Sequence, residues 1–266
     1  MSLLIFACGF TLLLSVACYM KWTAHYPSFM SDEPVLQRVC LCVLNGFITY
    51  IFELQGANTP FLDTRHYKIC SKLEGKFDRI LDEVTQYLKT NRMKDVPTFD
   101  TIDNRNSNLS CHDNKSWKVI VFKYYRDYVA NTCSEFPITS EILKSDPTIN
   151  LAMLSVMEGG KKLYPHQGPF KGIARIHLAV TVPEPGAVLT VDNKPYKWVP
   201  GRCVAFDDTF EHSVHNKADS YRVVLFLDVM RHELPKWFSF IFSCSAASEY
   251  LDKVNKKIEM HAAHEM

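Results

Sequence analysis

Two histidines, His166 and His212, lie 46 residues apart, each beside a turn and a short β-like run. Ten residues after the second comes Arg222, inside the apolar run Tyr221-Arg222-Val223-Val224-Leu225-Phe226-Leu227-Asp228. Imidazole is a good ligand for Fe(II). Two histidines on neighbouring strands leave positions open on the metal, the core of a non-haem iron oxygenase site. A guanidinium in a buried strand needs an anion, because an unpaired buried charge is costly. Its planar fork grips a carboxylate bidentately, which suits a small dicarboxylate. The three residues together point to Fe(II)/2-oxoglutarate oxygenase chemistry.

The flanking residues carry a resemblance. Tyr164-Pro165-His166-Gln167-Gly168-Pro169, Ala174-Arg175-Ile176-His177-Leu178-Ala179-Val180, Phe206-Asp207-Asp208-Thr209-Phe210-Glu211-His212 and Tyr221 to Asp228 are similar to the aspartyl/asparaginyl β-hydroxylase family. The clear similarity spans Trp117 to Leu234. It implies that His166 and His212 hold iron and that Arg222 binds the distal carboxylate of 2-oxoglutarate. It also implies co-substrate contacts from Arg175, His177, Ser155 and Trp117. The reaction implied is decarboxylation of 2-oxoglutarate to succinate, coupled to hydroxylation of an unactivated C–H bond. The substrate implied is the β-carbon of Asp or Asn in a peptide or protein. Most two-histidine oxygenases carry a carboxylate two residues after the first His; here Gly168 stands there. The H-x-G pattern is that of the animal β-hydroxylases, in which water fills the position, and a halide is the other candidate. The related bacterial lipid A hydroxylases carry H-R-D, and their membrane-proximal part resembles Ser28 to Asp63 here. That keeps lipid acyl-chain hydroxylation as the alternative. A non-catalytic membrane protein that binds a partner is a third reading, opposed by the intact His166, His212 and Arg222.

Other residues have plainer readings. His215, His232, His261 and His264 read as surface or hydrogen-bonding histidines. Arg175 and His177 alternate with Ile176 and Leu178, so both face one side of a strand. Asp207 and Asp208 read as residues that shape the turn before His212.

Length bounds the chain to one catalytic domain with an appendage, at 266 residues. The formal net charge of +1 and the absence of a basic stripe give nucleic-acid binding no electrostatic support. No P-loop, G-x-G-x-x-G or C-x-x-C occurs. Met1 to Met20 has no charged side chain and is rich in Leu, Ile, Phe and Val. Such a run is long enough to span a bilayer as a helix, and no basic leader or small-residue cleavage site marks it as a signal peptide. Four segments are expected: a transmembrane anchor over 1–21, a membrane-proximal apolar segment over 22–65, the oxygenase domain over 66–235 and a helical tail over 236–266. The second apolar stretch, Val39 to Leu54, contains Asn45 and Gly46. It reads as a helix packed on the catalytic domain or as a membrane-surface helix. Lys21 after the span pushes weakly towards a cytosolic domain. The resemblance implies the opposite, a single-pass type II protein with its domain in the secretory lumen. There Asn108 and Asn114, each opening a sequon, would be accessible. Nine scattered cysteines define no disulfide framework.

The elements that must position these residues are mainly β. Helical period predicts a helix from Phe77 to Leu88, and a short one runs from Thr139 to Lys144. A polar loop is expected from Asp100 to Ser116. Strand signals recur at Met153–Met157, Ile173–Val182, Ala187–Val191, Cys203–Phe206 and Tyr221–Val229. Turns are read at Pro183-Glu184-Pro185-Gly186 and Asp192-Asn193-Lys194-Pro195. Short strands at this spacing predict a double-stranded β-helix, the cupin-like jelly roll, with flanking helices.

Overall fold

The computed structural model describes residues 35–90, 93, 96–99, 115–125 and 127–235. The expected transmembrane anchor, both sequon asparagines and the expected helical tail lie outside the described residues.

Strands recur where β-branched and aromatic residues alternate, and they pair into two antiparallel sheets. In chain order they are β1 (Phe61–Leu62), β2 (Trp117–Tyr124), β3 (Asp127–Tyr128), β4 (Ile149–Met157), β5 (Lys162–His166), β6 (Ile173–Thr181), β7 (Ala187–Val191), β8 (Lys194–Lys197), β9 (Cys203–Phe206), β10 (His212–Asn216) and β11 (Arg222–Met230). The large sheet runs β1-β9-β6-β11-β4-β2-β3 and the small one β5-β10-β7-β8. From β4 to β11 the chain alternates between sheets, except at the β7–β8 hairpin. This is the strand order of a double-stranded β-helix, as the strand spacing predicted. Asp192 and Asn193 both take positive φ, 50° and 60°, as a two-residue hairpin turn requires. The turn is thus tighter than the sequence reading, and Lys194 and Pro195 belong to β8.

Period two divides each strand of the large sheet between two cores. Val223, Leu225, Leu227 and Val229 join Ile176, Leu178 and Val180 on the outer face. That face is covered by α2 (Lys68–Glu74), α3 (Phe77–Lys89) and α5 (Pro137–Lys144), with the short α4 (Ala130–Glu135) preceding α5. Ile80 and Val84 are the buried stripe of α3, as the helical period predicted. Glu83 of α3 accepts hydrogen bonds from the Ile138 and Thr139 amides at 2.7 and 3.0 Å, neutralising the exposed donors at the start of α5. Val224 and Phe226 face the other way, into the core between the sheets, with Leu189, Val191 and Val214. Arg222 and Asp228 share that inward period.

Val35–Leu54 forms one helix, α1. Its Ile48 and Phe52 pack on Phe170, Ile173 and Leu234, so it lies on the domain. Among the described residues no helix is long and apolar enough to cross a membrane. The segment after it also joins the domain, because Phe61 pairs with Phe206 in the large sheet.

Candidate metal and co-substrate site

His166 ends β5 and His212 opens β10. The register makes them direct partners across the small sheet, with ring centroids 4.1 Å apart. Each ring is oriented by its own chain. His166 Nδ1 lies 2.7 Å from the Tyr164 carbonyl, and His212 Nδ1 lies 3.0 Å from the Phe210 carbonyl. A carbonyl can only accept, so each Nδ1 carries the proton and each Nε2 keeps its lone pair. That is the tautomer of a metal-ligating histidine with its second nitrogen anchored. Burial pushes both imidazoles towards the neutral form, His166 to about 4 and His212 well below the ordinary range. The pair therefore fits a divalent metal: two neutral imidazoles, side by side and pre-aimed. Among the described residues no group of three or more His, Cys, Asp or Glu side chains is placed to hold a metal ion.

Rings lead from this pair into the space between the sheets. Phe206 stands 5.5 Å from His212 and 5.2 Å from His177. His177 in turn lies 5.9 Å from Trp198, and the Arg222 guanidinium sits 4.8 Å over the Trp198 ring. Arg222 is 2 % exposed. Among the described residues its Nη2 reaches only the Met157 sulfur at 3.6 Å, and Nε and Nη1 have no partner. Burial pulls the guanidinium down to about 9. His177 is also buried with both ring nitrogens unpartnered, and burial beside Arg222 and Arg175 keeps it neutral. A cation and a polar ring left unsatisfied in the same dry interior are the donors an anionic ligand would take up. Trp117 and Ser155 join this core from β2 and β4, with Trp117 Nε1 donating to Ser155 Oγ at 2.9 Å.

Arg175 differs from the expectation set by resemblance. It points inward as predicted and stacks 4.5 Å over Phe226, but it is already matched by two carboxylates. Asp208 lies 2.9 Å away and Asp228 accepts from Nε at 2.9 Å and Nη2 at 3.0 Å. Asp208 is the residue the sequence reading undervalued. Asp207 does shape the turn, accepting from the Thr209 amide and hydroxyl, and it is paired with buried Lys171 and Arg231. Asp208 instead turns its carboxylate towards Gly168. The Gly168 amide donates to the Asp208 carbonyl at 2.7 Å, and a Cβ added at Gly168 would collide with the Asp208 carboxylate. Its Oδ1 is buried without a partner, and burial raises the acid to about 7. The space beside Gly168 thus already holds a carboxyl group, delivered from the turn before His212. Its signal in sequence was position, four residues before His212, joined to an otherwise unexplained glycine.

The model of the aspartyl/asparaginyl β-hydroxylase family matches residues 74–232. An ornithine lipid ester-linked acyl 2-hydroxylase of Rhizobium tropici is 32% identical over 176 residues, 65% of this chain and 61% of that protein. Human aspartyl/asparaginyl β-hydroxylase is 32% identical over 109 residues, 39% of this chain and 14% of that protein. Mouse aspartate β-hydroxylase domain-containing protein 2 is 33% identical over 110 residues, 38% of this chain and 32% of that protein. The chain therefore spans less than two thirds of each of these relatives. A 2OG-Fe(II) oxygenase family oxidoreductase from Burkholderia pseudomallei overlaps 47% of this chain and 72% of its own, with a TM-score of 0.36 and 14% identity.

Proposed function

The chain belongs to the aspartyl/asparaginyl β-hydroxylase family, and on that premise we propose that it is an Fe(II)/2-oxoglutarate-dependent hydroxylase. The observation that carries this reading is Arg222: a buried guanidinium with unpartnered nitrogens, at the far end of a row of rings that begins at the His166–His212 pair.

His166 and His212 would hold the iron through Nε2, and Arg222 would take the distal carboxylate of 2-oxoglutarate. His177 would donate to the same ligand, and Trp117 and Ser155 would line its site. Iron bound there, with 2-oxoglutarate and O2, supplies the oxidising power to hydroxylate an aliphatic C–H bond, releasing succinate and CO2. The chain's own work is positional. Carbonyls of Tyr164 and Phe210 fix the imidazole tautomers, the aromatic interior would exclude water, and the Asp208 carboxyl fills the space beside Gly168.

For the substrate, the first reading is the β-carbon of Asp or Asn in a peptide or protein, after the relatives so named in human and mouse. The second is a lipid acyl chain, and one feature of the site favours it. Arg175, a cation that would grip an acidic side chain, is occupied by Asp208 and Asp228. The Rhizobium relative, named for a lipid substrate, also aligns over 65% of this chain. We further propose that residues 1–21 anchor the protein in a membrane, type II, with the domain in the secretory lumen. Incubating purified protein with Fe(II), 2-oxoglutarate and O2, beside an Asp/Asn peptide library and membrane lipids, tests the reaction and its substrate by mass spectrometry. A gain of one oxygen on a peptide supports the first reading and on an acyl chain the second. Succinate formation stimulated by neither would refute both.

A further inference from the structure

Helix α1 has two apolar sides, and the fold uses only one. Cys42, Asn45, Ile48 and Phe52 are buried against the domain, all at 2 % exposure or less. About half a turn round the helix stand Phe47, Tyr50 and Leu54, at 49 %, 48 % and 71 % exposure, with Cys40 exposed about two turns before Phe47. From Val39 to Phe52 no side chain is charged. A helix on a protein surface normally turns charged and polar residues outward. Here the outward stripe is aromatic and aliphatic, which marks an interaction surface.

The chain upstream says what covers it. Fourteen residues, 21–34, separate the start of α1 from the uncharged Met1–Met20. That tether extends to at most about 50 Å. A bilayer holding the N-terminus would therefore lie within reach of the exposed stripe. Aromatic residues beside an aliphatic one suit the boundary between head groups and acyl chains.

We propose that the outer face of α1, formed by Phe47, Tyr50 and Leu54, docks onto the surface of a lipid bilayer. The proposal rests on the anchoring reading of residues 1–21 given above. Its consequence for the site is direct. Asn45, on the inner face of the same helix, donates from Nδ2 to the Pro169 carbonyl at 2.8 Å and accepts from the Lys171 amide at 2.9 Å. Asn45 is wholly buried. These two bonds grip the loop that follows His166, so docking α1 would hold that loop at the lipid surface.

The test uses the full chain in phosphatidylcholine/phosphatidylserine vesicles, a diazirine probe confined to the lipid phase, and mass spectrometry of the labelled peptides. Label is expected within Met1–Met20 and at Phe47, Tyr50 and Leu54, and not at Ile48 or Phe52. The Phe47→Ser/Tyr50→Ser/Leu54→Ser variant should lose the α1 label and keep both the Met1–Met20 label and the wild-type melting temperature. If that variant fails to fold, the wild-type label map alone decides. Label in Met1–Met20 with none on α1 would overturn the docking and leave the anchor standing. No label in either place would overturn both. An α1 face that stays unlabelled but cross-links to a second copy, or to residues 1–34, would assign it to that occupant instead.

Discussion

Replacing Arg222 by methionine should make the unliganded protein more stable while destroying its response to 2-oxoglutarate. The guanidinium is 2 % exposed and has no carboxylate partner among the described residues. Its fall to about 9, caused by burial alone, corresponds to about 5 kcal/mol of unfavourable desolvation. Stacking on Trp198 at 4.8 Å returns about 2 kcal/mol of that. Methionine keeps the length of the side chain and can pack on the same Trp198 and Met157 surface. A net gain of about 1–3 kcal/mol is therefore expected, in line with other buried charges replaced by apolar residues. At about 2–4 °C per kcal/mol, the melting temperature of the unliganded variant should rise by several degrees. The wild type should gain about 2.7 kcal/mol from 2-oxoglutarate at a hundred times its Kd, with Mn(II) standing in for iron, and the variant nothing. Differential scanning calorimetry should thus show the two curves crossing over as co-substrate is added. Arg222→Lys should recover only part of the response, since an ammonium cannot bond a carboxylate bidentately. A variant less stable than wild type without ligand, or one that keeps the thermal shift, would refute the reasoning.

Gly168→Ala should cost about 1–3 kcal/mol through collision with the Asp208 carboxylate, and most of that cost should disappear in an Asp208→Ala background; a double-mutant cycle in urea that finds no coupling would show that the two do not share the space. Asp208 carries a raised pKa of about 7, so the stability it contributes is full below the ordinary carboxylate range and is lost as pH rises through about 7. Asp208→Asn, fixed in the neutral form, should therefore gain melting temperature relative to wild type as pH rises from about 4 to about 7, and an unchanged difference across that window would contradict the assignment. Protease digestion of sealed microsomes should spare the domain until detergent is added, and rapid loss without detergent would place it in the cytosol.

Four strands of the large sheet, β4, β6, β9 and β11, were legible because they are apolar on both faces. Cys203–Phe206 there and Ala187–Val191 in the small sheet appear with the bounds expected, and Phe77–Leu88 is α3 less its last residue. The strands that carry the two histidines were not. β5 holds Lys162 and Pro165, and β10 reads His-Ser-Val-His-Asn, so neither shows a clean hydrophobic alternation. Pairing with each other and with β7 makes them strands, and a single sequence does not display pairing. In the site, His166, His212 and Arg222 were found by type and spacing, and the structure brings the two histidines together and leaves Arg222 unpaired. What spacing could not convey is which charges cancel. Arg175 and Arg222 look alike in sequence, each inward on an apolar strand, yet Asp208 and Asp228 match the first and no carboxylate among the described residues matches the second. Trp198 and Met157, which surround Arg222, are ordinary core residues until the register is known.

The most direct test of the site is a visible absorption titration without oxygen. Wild-type protein with Fe(II) and 2-oxoglutarate should develop the charge-transfer band of a 2-oxoglutarate chelated to iron, saturating with both components. His166→Ala and His212→Ala should lose the band while keeping the far-ultraviolet circular dichroism of the fold. Arg222→Met should demand a 2-oxoglutarate concentration at least about a hundredfold higher, for the loss of a bidentate pair of charge-assisted bonds. A wild-type protein that gives no band at any concentration, or histidine variants that give it undiminished, would contradict the assignment of His166, His212 and Arg222 to iron and its co-substrate.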